Sequence, residues 1–127
     1  MNSDKLEGYM INLGLTFQKI ADNSWIINDE EKGLERLIVI YEDPLIIIRV
    51  KVMEKPEKNR EAFYEKLLSL NAEDIMHGAY ALEGNDIIMT DTLEYSTMDL
   101  EEFQASLDAI GLALAQHYSI LSEFRNN

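Results

Sequence analysis

Two histidines, His77 and His117, are the side chains of this chain best suited to moving protons near neutral pH, so the search for chemistry starts with them. As a general base, His77 would need a nucleophile in reach and a carboxylate to orient its ring. It stands in the stretch MHGAYALEGNDIIM, residues 76 to 89, with no G-x-S-x-G motif and no phosphate-cradling glycine loop beside it. His117 lies 40 residues further on, which is not a metal-ligand spacing. The 24 Asp and Glu residues offer carboxylates throughout the chain and therefore select no catalytic pair. Neither acidic cluster, NDEEKG or DTLEYSTMD, has the alternating oxygen ligands, central glycine and closing glutamate of a calcium loop. With no cysteine, thiolate chemistry, thiolate metal sites and disulfides are excluded. These residues predict no catalytic group, no metal and no cofactor, and they make His77 a polar residue at the mouth of a strand.

The elements around the histidines are more informative than the histidines themselves. A length of 127 residues, 46% hydrophobic and 28% charged, predicts one globular domain over residues 1–127. Apolar runs such as LIVIY and PLIII are far shorter than the roughly 20 residues of a membrane helix. The N-terminus MNSDKLEGYM lacks the basic and apolar regions of a secretory signal, and together these features predict a cytoplasmic protein. The net charge of −13 is uneven: residues 67–124 hold 11 acidic side chains and no Lys or Arg. Such a surface repels phosphate backbones and anionic membranes, so neither nucleic acid nor membrane is an expected partner.

Periodicity predicts the order α-β-β-β-α-β-β-α, an α+β fold with a single antiparallel five-stranded sheet packed with three helices. The first helix has Ser3 or Asp4 as N-cap, Leu6, Tyr9, Met10 and Leu13 on one face, and Gly14 as its stop. SWIIN, ERLIVIYE and LIIIRVKVM read as three strands, and a second helix runs from about Lys58 to Asn71 after Pro56. GAYALE and DIIMTDTL form a hairpin on the turn Gly84-Asn85, with Tyr80 opposite Met89 and Ala79 opposite Thr90. Asp99 and Glu102 form a capping box for the last helix. That helix carries Leu100, Phe103, Leu107, Ile110, Leu114, His117, Leu121 and Phe124 at spacings of three and four. Ala105, Ala109, Leu112 and Ala113 widen its buried arc, and His117 sits where the helix is expected to emerge toward solvent.

If Asp43-Pro44 is a two-residue loop, Tyr41 opposes Ile46 and Val39 opposes Ile48 on the core face. The other face then carries Ile38, Ile40 and Ile47 beside Arg49 and Lys51. It is too apolar for a solvated surface and too charged for a second core, which predicts a cover from a helix or another chain. Small Gly78, Ala79 and Ala81 predict a flat hairpin side open to close approach, most simply by a helix of the same chain.

Leu67 to Met89, LLSLNAEDIMHGAYALEGNDIIM, followed by Leu93 to Tyr118, resembles the type III secretion chaperone-like superfamily, including YbjN-type bacterial families. The resemblance implies a non-catalytic homodimer that binds a polypeptide client by strand addition and apolar patches. Backbone hydrogen bonds would then give affinity and side-chain pockets selectivity. The predicted client-binding residues are Leu6, Met10, Trp25, Ile27, Ile38 and Ile40. The alternative is a regulatory or structural dimerisation module that binds a folded protein partner through the acidic surface.

Overall fold

The computed structural model describes residues 4–125. Its elements are α1 (Asp4–Asn12), β1 (Phe17–Ala21), β2 (Ser24–Asp29), β3 (Leu34–Glu42), β4 (Leu45–Glu54), α2 (Arg60–Glu73), β5 (Ala79–Glu83), β6 (Asp86–Glu94) and α3 (Leu100–Arg125). A 3-10 turn, Glu30–Lys32, links β2 to β3. The α+β class and three helices agree with the sequence reading, but the sheet has six strands, in the order β1-β2-β3-β4-β6-β5. The added strand is β1, FQKIA. It is a short edge strand exposed at four of its five residues, so it carries no apolar alternation to announce it.

The predicted registers hold in both hairpins: Tyr41 faces Ile46, Val39 faces Ile48, Tyr80 faces Met89 and Ala79 faces Thr90. All strand pairs are antiparallel, so side chains alternate strictly between two faces of the sheet. One face carries Trp25, Ile27, Leu37, Val39, Ile46, Ile48, Ile87 and Met89, each without exposed surface, and all three helices add their buried side chains to the same core. Two further contacts hold α1 on this face: Trp25 Nε1 donates to Glu7 Oε2 at 2.8 Å, and the Tyr9 hydroxyl donates to the Met98 carbonyl. Ser3, the other predicted cap, lies outside the described residues.

The capping box of α3 forms as predicted, with the Glu102 amide donating to Asp99 Oδ1 at 2.7 Å and the Asp99 amide donating to Glu102 Oε1 at 3.1 Å. Two predictions on α3 fail. Leu112 is 59% exposed and widens no buried arc, because at about 100° per residue it falls on the side of α3 opposite the buried Phe103, Ile110 and Leu121. His117 does not emerge toward solvent; it is 1% exposed, buried under the end of α2. Gly111 explains how the 3-10 turn packs so closely: a Cβ there would collide with the Lys32 carbonyl oxygen.

Candidate protein-binding surface

Alternation leaves the second face of the sheet to Ile26 on β2, Ile38 and Ile40 on β3, Ile47 and Arg49 on β4, and Ile88 and Thr90 on β6. Register sets them in rows across the strands. One row runs Ser24, Ile40, Ile47, Thr92, and the next runs Ile26, Ile38, Arg49, Thr90, Ala79. None of these side chains is buried, in contrast to their neighbours on the core face. The hairpin side with Ala79 and Ala81 belongs to this open face and receives no helix among the described residues, contrary to the simplest expectation. Close approach occurs instead at Gly78, where φ is +87° and a Cβ would lie 2.7 Å from the Thr90 carbonyl oxygen.

The basic side chains of the open face gather toward one end, each of two beside an acid, while Glu42 and Glu94 share a row at the other. Arg49 pairs with Glu83, and Lys51 Nζ lies 3.5 Å from Asp86 Oδ1. Arg36, in the left-handed region at φ 56°, lines a shallow depression with Arg49, Lys51 and Ile88. Its amide is held by the Asn28 side chain at 2.8 Å, which stabilises a conformation that a non-glycine residue seldom adopts.

The two edges of the sheet differ in how their backbone groups are used. On β5 the Tyr80 amide donates to Asn71 Oδ1 at 2.7 Å, and Asn71 Nδ2 donates to the Tyr80 carbonyl at 3.1 Å. One side-chain amide from α2 thus occupies the position an added strand would take. On β1, the Asn28 amide donates to the Thr16 carbonyl, which fixes Gln18–Ile26 as the next pair bonded within the sheet. Alternation then points the N–H and C=O groups of Phe17 and Lys19 outward, away from β2. β1 is the edge with strand-pairing groups to offer.

Behind the Asn71 clamp lies a polar cluster centred on the buried His117. The Tyr80 hydroxyl and His117 Nδ1 are 2.8 Å apart, and His117 Nε2 lies 3.3 Å from Asp74 Oδ2. Burial pushes the Tyr80 phenol above its ordinary value, so it stays protonated and donates to Nδ1. That leaves the Nε2 proton to donate to Asp74, and the cluster ties the end of α2, β5 and α3 together. His77, by contrast, is exposed in the turn before β5.

Of the six predicted client-binding residues, Leu6, Met10, Trp25 and Ile27 have no exposed surface at all and pack in the core. The reason is their register: Trp25 and Ile27 alternate onto the face that α1 covers with Leu6 and Met10. Only Ile38 and Ile40 reach the open face. Sequence reasoning missed the β1 edge and the Asn71 clamp, and for Asn71 no local pattern distinguishes a strand plug from a helix-end residue.

Among the described residues the sheet thus has one covered face, one isoleucine-rich open face and one edge, β1, with outward-pointing backbone groups. The family model CesT_Tir_1, of a type III chaperone family, matches residues 1–127. The chain belongs to the CesT_Tir_1 family. No curated protein matches it. Among solved structures, YbjN from E. coli is similar to this CesT_Tir_1 chain at 13% identity and a TM-score of 0.68, over 94% of this chain and 93% of that one. A chain of the heterodimeric ExoU-SpcU complex of the Pseudomonas aeruginosa type III secretion system aligns at 13% identity and a TM-score of 0.71, over 95% and 98%. A chain of the HopA1-SchA chaperone-effector complex aligns at 6% identity and a TM-score of 0.61, over 97% and 91%. At these identities the neighbours establish a shared fold. No helix among the described residues is long and apolar enough to cross a membrane.

Proposed function

We propose that this protein is a non-catalytic, chaperone-like binding protein that acts in the cytoplasm as a homodimer, one domain per chain, and holds an extended segment of a polypeptide client. Membership of a chaperone family supports the reading, as do structural neighbours solved in chaperone-effector complexes. The observation that carries it is the inequality of the edges. β5 is closed by Asn71, whereas β1 turns the backbone groups of Phe17 and Lys19 outward. A client strand added at β1 gains main-chain hydrogen bonds there, and the half-exposed Ile20 supplies an apolar contact beside them. Of the predicted binding residues, Ile38 and Ile40 retain surface with which to meet a second polypeptide, client or copy.

The test is amide hydrogen exchange on the purified protein with and without a client co-purified from its native host. Slower exchange at Phe17 and Lys19, with Tyr80 unchanged, is the expected result. A partner that binds without slowing those two amides would show that strand addition at β1 is not the mode of capture.

A further inference from the structure

We infer that protonation of His117 releases the Asn71 clamp, so that acid bares the backbone groups by which β5 can pair with another strand. The inference concerns β5 alone and stands apart from the reading of β1 as the client edge.

His117 is a titratable ring in a buried place, 1% exposed on α3 between β5 and the end of α2. Imidazole is the side chain whose charge ordinarily changes between about pH 5 and 8. Each element packed on the ring brings one titratable group to it. Tyr80 meets Nδ1 from β5 at 2.8 Å, and Asp74 meets Nε2 from the end of α2 at 3.3 Å. On its own helix, the residues about one turn to either side are the apolar Leu114 and Leu121.

The neutral ring satisfies both partners. The Tyr80 hydroxyl donates to Nδ1 and Nε2 donates to Asp74, and among the described residues no buried side-chain nitrogen or oxygen lacks a partner. An added proton must go to Nδ1, the nitrogen that accepts. Both ring nitrogens are then donors, while burial keeps the Tyr80 phenol protonated, so two hydrogens face one another across the Tyr80 contact. The hydroxyl can turn away and accept, but Nδ1 is its one hydrogen-bond partner among the described residues, and its own hydrogen is stranded. The attraction that offsets this comes from Asp74 and the carbonyl end of α2. Asp74 is 48% exposed, so water screens it. A buried charge with a stranded hydroxyl outweighs a half-solvated ion pair, and the protonated cluster comes apart.

Spacing decides what comes apart with it. Asn71 and Asp74 are three residues apart and leave the last turn of α2 on one side. The Asp74 amide donates to the Leu70 carbonyl at 2.9 Å, so the turn moves as a unit. Its side-chain hydrogen bonds to other elements are those of Asp74 to His117 and of Asn71 to Tyr80. Tyr80 is thus held at both ends, its backbone by Asn71 and its hydroxyl by His117. Residues 75–78, which join the turn to β5, belong to no helix or strand and can follow the displaced turn. Loss of the His117 bonds therefore loosens the clamp, and the Tyr80 N–H and C=O become an unpaired strand edge.

The test is protection of the Tyr80 amide against hydrogen exchange, expressed relative to an unstructured chain at each pH, in wild type, His117→Gln and His77→Gln. Between about pH 8 and about pH 5 the wild type and His77→Gln should lose at least about tenfold in protection at Tyr80, with Ile48 unchanged. His117→Gln should keep its protection, because its amide can accept from Tyr80 and donate to Asp74 but takes up no proton. An unchanged wild type, or a loss that persists in His117→Gln or disappears in His77→Gln, would overturn the inference. Should His117→Gln fail to fold, the wild type still decides. The ring carbon shifts of His117 and the protection of Tyr80 should change with one midpoint. A ring that charges while the clamp stays shut, or a clamp that opens while the ring stays neutral, would overturn it.

Discussion

On β3 and β4 the two faces of the sheet draw on almost the same side chains for opposite purposes. Val39, Ile46 and Ile48 point to the helices and have no exposed surface, while Ile38, Ile40 and Ile47 point away and keep theirs. Identity of side chain therefore does not assign a residue to core or surface. What assigns it is a register fixed by the turns and by the single face that the helices can cover. The edges repeat the lesson: β1 and β5 are both short outer strands, yet an asparagine from α2 closes one and leaves the other open.

The comparison of faces is broken most strongly from the core side. Trp25→Ala removes the largest fully buried side chain and its bond to Glu7, and should cost about 3–5 kcal/mol in a denaturant titration. A loss under about 1 kcal/mol would mean that the helical side is not the core. Next in size is Asn71→Ala, which strips the Tyr80 amide and carbonyl of their partner and should cost about 1–3 kcal/mol. It should also speed exchange at the Tyr80 amide and add self-association through β5. If exchange there stays slow, the clamp is not what closes that edge.

The Tyr80 phenol provides a test by pH. Its value is raised in the folded chain by burial, so the stability it contributes is fully present below the ordinary tyrosine value of 10.0 and is lost as the pH rises beyond it. Stability measured by thermal melts should fall above that pH in the wild type, and Tyr80→Phe should flatten that part of the decline. The substitution also costs about 1 kcal/mol at neutral pH by removing the donor to His117 Nδ1. The smallest effect belongs to the open face: Ile40→Thr should change the stability of the isolated monomer by less than about 1 kcal/mol. A larger loss would place Ile40 in a core.

Most of this architecture is legible in the sequence because local rules and burial agree there. The capping box at Asp99, the Gly84-Asn85 turn and the two hairpin registers follow from residues within a few positions of one another. The open isoleucine face is legible too, once Asp43-Pro44 sets the register. β1 is not, since Phe17–Ala21 is exposed at an edge and needs no apolar period. Trp25 and Ile27 look like binding residues and lie in the core, because only the packing of α1 decides which face of β2 is covered. His117 is misread for a related reason: its partners, Tyr80 and Asp74, arrive from elements 37 and 43 residues away in sequence.

The most direct measurement of the account is solvent access to the isoleucine methyls, read by NMR with a soluble paramagnetic probe. At low concentration the probe should reach Ile26, Ile38, Ile40, Ile47 and Ile88 and spare Ile27, Ile46, Ile48 and Ile87. Equal relaxation of the two sets would contradict the assignment of one face to the core and the other to the open surface.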